Sequence, residues 1–237
     1  MSRPQMSLEP QPDDNSHPTR RRLRWRWMSA ALMAGLIGWS AYDLLIPRTT
    51  SLRQFDSSEV ARLETAMWRS YYAKERVRLF GQMSELLRTQ YRLPLLRSNL
   101  VAYQAARAAF VFKGGHERGD YEQALPSLIS YYAAIRRVSA EPFEVEQAAK
   151  LELEWWIIHR ERQRHPPGDL ERALAELPAA IYHLPAERFA EHARLRAEAM
   201  TIRDDRAEAG GVSEADWQRI DELLHASWRS LWQAVNA

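Results

Sequence analysis

The chain has 237 residues, no cysteine, nine glycines and a formal charge of +2. That length suits one domain with an appendage. The absence of cysteine excludes a disulfide scaffold, a thiol nucleophile and any Cys-ligated metal centre. Scarce glycine argues against phosphate loops and many-turned β architectures.

The charge is unevenly placed. Residues 1–54 carry eight arginines against four carboxylates, which puts +4 on that segment and leaves −2 on the rest. A nucleic-acid binder concentrates its basic residues on the folded domain, so the basic pI near 9 does not mark a nucleic-acid partner. Only Lys74, Lys113 and Lys150 are lysines, a compositional bias given no functional weight.

Residues 1–27 are expected to form a disordered, basic, cytoplasmic tail. Positions 1–19 are rich in Pro, Ser and Asp and offer little to bury; Arg20, Arg21, Arg22, Arg24 and Arg26 follow. Residues 28–46, MSAALMAGLIGWSAYDLLI, carry one charge, Asp43. As a helix this run is about 29 Å long, close to the ~30 Å hydrocarbon thickness of a bilayer. Trp25 and Trp27 flank one end, Trp39 and Tyr42 approach the other, and Pro47 stops the helix. Asp43 lies within a turn of the far end, where a carboxylate reaches the headgroups.

The arginine cluster precedes the run, so the positive-inside rule puts the N-terminus in the cytoplasm and the remainder across a bacterial inner membrane, in the periplasm. Two rival readings stand beside the retained anchor. One is a signal peptide cleaved near Gly38-Trp39-Ser40; the other is an apolar core helix, which the adjacent arginines oppose. Thr19-Arg20-Arg21 resembles a twin-arginine signal, a pair that a dense arginine cluster produces easily.

After a linker over 47–55, residues 56–237 are expected to form an all-α domain of six to seven helices, bundle-like. Asp56 with Glu59 starts a helix whose apolar stripe runs from Val60 to about Tyr91. Pro94 opens the next, with Leu96, Leu100, Tyr103 and Phe110 on one face and alanines beside it; Gly114 and Gly115 end it. Asp120 caps a helix to about Val138, bent at Pro126. Pro142 precedes one through LELEWWII at 151–158. A short helix from Asp169 breaks at Pro178, another spans 185 to 209, and Ser213 with Asp216 caps the last. No window alternates as a strand does.

The stretch from Gly119 to Leu125 looks like the second helix of a tetratricopeptide repeat. The preceding helix does not match at the right offset, and no second copy lies 34 residues away. Ser70-Tyr71-Tyr72-Ala73 recurs at 130–133 without matching flanks. A degenerate helical-repeat binding domain therefore stands as an alternative to the bundle.

Charged residues on apolar faces are the informative ones. Glu64, Arg107, Glu152, His159 and Glu198 sit on such faces. One reading is a carboxylate-bridged metal site from Glu64, Glu152, His159 and Glu198. Its motif needs two Glu-x-x-His pairs; the chain has one, Glu222 to His225, on a wet face. The favoured reading pairs Glu64 and Glu152 with Arg107 or other arginines inside the domain, because buried charge must be compensated. His159 alone, flanked by Trp155 and Trp156, would serve as an acid–base group or as a hydrogen-bonded core histidine.

Adjacent aromatics such as Tyr71-Tyr72 cannot both face inward, so they form either the edges of a wide core or an exposed patch for a partner or the membrane. No hydrolase, metalloprotease, phosphate-loop or dinucleotide motif occurs, and no cofactor is indicated. The expectation is an interaction or scaffolding module, an accessory subunit with a protein partner; the alternative is a metal protein or enzyme using the inward Glu and His.

Overall fold

In the computed structural model, residues 18–45 and 49–237 are described, with side chains from residue 24 onward. Residues 1–17 of the tail expected at 1–27, and Ile46, Pro47 and Arg48, lie outside the described residues. The chain divides after Leu45 into two compact units.

The first unit is α1, Pro18–Leu45. It starts ten residues before the apolar run, since arginine and leucine are good helix formers and nothing breaks the chain there. Its segment Arg24–Leu45 is long and apolar enough to span a membrane, with a mean hydropathy of 1.3. Trp25, Leu32, Leu36 and Leu45 all lie exposed on it.

The second unit is all helical: α2 (Ser57–Tyr72), α3 (Arg76–Thr89), α4 (Leu95–Gly114), α5 (Arg118–Glu122), α6 (Leu125–Val138), α7 (Val145–Arg160), α8 (Asp169–Tyr182), α9 (Ala190–Glu208) and α10 (Glu214–Asn236). This is an all-α domain with no strand among the described residues. Two expected helices are each divided, which raises the number to nine. The run from Asp56 to Tyr91 breaks at Lys74, which takes φ 61°. There Glu75 N–H reaches Ser70 O (2.9 Å) and Lys74 N–H reaches Tyr71 O (3.2 Å), the paired bonds of a Schellman end. The run from Asp120 breaks after Glu122, so the tetratricopeptide-like stretch falls on five-residue α5 instead of opening a long helix.

Conversely, α8 continues through Pro178. Leu174, Ala175, Pro178 and Tyr182 are all buried, and their packing outweighs the ~3 kcal/mol helical penalty of proline. At the α4 end, Gly115 is required sterically: a Cβ there would meet the Tyr121 ring at 2.8 Å. The Ser213–Asp216 capping box forms as expected.

The helices make a closed ring. Each of α2, α3, α4, α6, α7, α8, α9 and α10 packs on the next, and α10 returns to pack on α2. Residues 50–55, expected as linker, seal this ring. Thr50 pairs with Val138 and Ala140 backbone (2.7 and 2.9 Å). The buried Glu141 carboxylate accepts from Ser51 Oγ (2.7 Å) and Leu52 N–H (2.8 Å). Burial would push that carboxyl up, but these bonds and one from Ser139 outweigh it and hold it below the usual carboxylate range. Arg53 donates to the carbonyls of Val235 on α10 and Tyr182 on α8. The free linker is therefore shorter than the sequence suggests.

α4 is turned opposite to expectation. Ala102 and Ala108 are fully buried, whereas Leu100, Tyr103 and Phe110 are 56%, 55% and 54% exposed. Small side chains let α4 approach α3 and α6 closely, so the alanine face goes inward and the large stripe is left outside.

Candidate functional site

A ring of helices leaves a lumen, and here it is a chamber of about 350 Å³ to which all eight ring helices contribute walls. Most of the wall is apolar: Val60 and Met67 from α2, Leu86 from α3, Leu128 from α6, Leu177 from α8. Its volume falls within the ~300–1,000 Å³ typical of small-molecule sites.

The polar wall contains two of the residues singled out from sequence. Glu64 on α2 is buried and accepts two bonds from the Arg196 guanidinium on α9 (3.1 and 2.6 Å). Its second oxygen takes Trp228 Nε1–H from α10. Glu152 on α7 accepts from Tyr132 OH and Trp156 Nε1, each at 2.9 Å. Burial works against the Arg196 charge, but the Glu64 and Glu152 carboxylates outweigh it and keep the guanidinium protonated. Arg196 also lies over the Trp155 ring, 5.1 Å from its centroid.

Arg107 was the arginine named for this role, with other arginines left open. It is exposed on α4, on the outward stripe, and Arg196 takes the role. Arg196 escapes sequence reasoning because α9 mixes alanine with charge and has few large apolar residues to mark an inward face.

His159 lies elsewhere, with Nε2 3.1 Å from Asp204 Oδ2 on α9. Burial raises the Asp204 carboxyl, but His159 and Arg203 outweigh it and bring it down to about 2. Glu198 is half-buried at the surface between Arg194 and Arg219, each at 3.1 Å. Glu64, Glu152, His159 and Glu198 therefore do not converge. Among the described residues no three His, Asp or Glu come together as a metal-ligand set, so the geometry does not support that reading.

Three further chamber residues were not among the candidate site residues. His192 on α9 is buried, with Nδ1 3.1 Å from Ser227 O and 2.7 Å from Ser227 Oγ on α10. Burial, reinforced by the Arg196 charge, lowers it to about 3 and keeps it neutral. Ser227 is fully buried and does not line the chamber; its hydroxyl donates to His192 O (2.9 Å). The contact ties α9 to α10 and offers no reachable nucleophile. Tyr91 and Tyr131 face the chamber, and neither hydroxyl has a hydrogen-bond partner among the described residues. Burial raises both, Tyr91 to about 12.

A second concavity, about 260 Å³, opens between the end of α2, α3 and α4. Phe80, Met83, Ala106 and Ala109 line it, with Lys74, Arg76 and Lys113 at its edge. Arg76 sits 5.3 Å from the Phe110 centroid and Lys113 Nζ 5.7 Å from that of Tyr71. Together α3 and α4 carry six basic residues and one acidic one, on a domain that is acidic as a whole.

The fold and its sites thus define a helical ring with a central chamber, a basic apolar groove and an apolar N-terminal helix. Comparisons with family models, with curated proteins and with solved structures find no match to this chain.

Proposed function

We propose that this chain is a membrane-anchored, non-catalytic interaction module, an accessory subunit that binds another membrane protein through the α3–α4 face. The observation that carries the proposal is the row of Leu100, Tyr103 and Phe110 left outside on α4. Exposed apolar rows of this kind mark interaction sites. The adjoining concavity favours a partner helix over a flat lipid surface, and its cationic edge fits an acidic, amphipathic segment.

Several features support the rest of the reading. α1 serves as the retained anchor, with the N-terminus in the cytoplasm and the ring outside the inner membrane, following the arginine asymmetry. Glu64, Glu152, Arg196 and His192 of the chamber are each engaged by protein partners, and among the described residues its lining includes no Ser, Thr or Lys.

The test is co-purification of the full-length chain from detergent-solubilised membranes, beside Phe110→Glu and Lys113→Glu variants. One partner recovered with the native chain and lost with either variant supports the proposal. Recovery insensitive to both variants, or variant-sensitive binding to protein-free anionic vesicles with no protein recovered, overturns it.

A further inference from the structure

We propose that the central chamber binds a compact apolar organic amine. This is independent of the α3–α4 face and rests on the composition of the lumen wall. Glu64 and Glu152 bring two carboxylates to it, and Arg196 supplies one guanidinium. The neutral His192 adds no positive charge. Glu64 is matched by Arg196, whereas Glu152 is held by two neutral donors, Tyr132 OH and Trp156 Nε1. Glu152 is half-buried and hydrogen-bonded to no cation at the wall of a largely apolar chamber, so an ammonium group there would supply its counter-charge.

The surroundings of Glu152 fit the same chemistry. Tyr91 and Tyr131 lie within electrostatic reach of it, and their hydroxyls have no protein partner among the described residues. Both can accept a hydrogen bond from an ammonium N–H, and their rings, with that of Trp156, offer faces that attract a cation. The remaining wall is aliphatic and suits an apolar body. A carboxylate ligand would meet the excess negative charge and is disfavoured.

The probe is 1-adamantylamine, compared with 1-adamantanol and adamantane-1-carboxylate. Titration calorimetry is carried out on the full-length protein in zwitterionic lipid nanodiscs, with empty discs subtracted. The expected result is one amine per chain, bound at least about tenfold more tightly than the carboxylate, a difference of ~1.4 kcal/mol. Glu152→Gln abolishes that preference, and Tyr131→Phe, which keeps the ring, weakens the amine severalfold. Ala105→Trp fills the chamber and removes binding of all three probes. Phe110→Glu, on the outer face, leaves amine binding unchanged, which separates this inference from the proposed partner site. Equal or tighter binding of the carboxylate, no saturable binding of the amine, or a preference surviving Glu152→Gln in folded protein overturns it. If Glu152→Gln does not fold, undiminished binding in Tyr131→Phe and Ala105→Trp does the same.

Discussion

Arg196 and Glu64, 132 residues apart, join two helices that are not neighbours in the ring: α10 lies between α9 and α2, and its Trp228 donates to the same carboxylate. The pair thus fastens three helices at the point where the ring closes.

Removing one partner leaves the other charge buried without compensation. Arg196→Ala is expected to cost about 3–5 kcal/mol, measured by urea unfolding of the detergent-solubilised full-length chain. Replacing both, Glu64→Leu with Arg196→Met, costs less than half of that, because no orphan charge remains. An equal or larger loss in the double variant would mean that the pair itself is net stabilising.

His192 gives the ring an acid sensitivity above the carboxylate range. Its folded pKa of about 3 lies below the ordinary 6.5, so between these values the unfolded chain binds the extra proton. Stability is therefore full above pH 6.5 and declines as pH falls towards 3, by up to about 2.7 kcal/mol at pH 4.5. The depressed carboxyls of Glu141 and Asp204 begin from ordinary values of 4.5 and 3.8, so most of their effect comes at lower pH. Stability curves from pH 7 to 4.5 check this: His192→Gln should flatten them.

The orientation of α4 gives a contrast between neighbouring positions. Ala102→Leu, on the packed face, should destabilise by about 1–3 kcal/mol through overpacking. Leu100→Gln, on the exposed face, should stay within about 0.5 kcal/mol. Thermal unfolding of the two variants decides which face is inside; the reverse order would restore the stripe-inward reading.

Several of these features were legible in the sequence and others were not, for physical reasons. The all-α class, the α10 capping box and the apolar α1 follow from periodicity and cap chemistry. The break at Lys74 does not, because the left-handed residue is a lysine held by backbone bonds rather than a glycine. Glu64 and Glu152 stood out as charges among apolar residues; Arg196 did not, because alanine marks a face too weakly. The α4 stripe misled because an apolar row is the same pattern whether it packs inside or awaits a partner. Ring closure depends on α10 meeting α2, a long-range contact that no local pattern encodes.

The absence of cysteine makes topology directly measurable. Ser7→Cys and Gln218→Cys chains each carry a single thiol. In cells with a permeabilised outer membrane, Gln218→Cys is expected to react with a membrane-impermeant maleimide, and Ser7→Cys only after lysis. Labelling in the reverse order would invert the proposed orientation.

The outward face of α4 is proposed to hold a protein partner at the membrane. Placing a photo-crosslinking residue at Tyr103 of the full-length chain in native membranes tests it most directly. One protein adduct of defined mass, which disappears when Lys113→Glu is added, is the expected result. Adducts to lipid alone, or a protein adduct indifferent to Lys113→Glu, would contradict it.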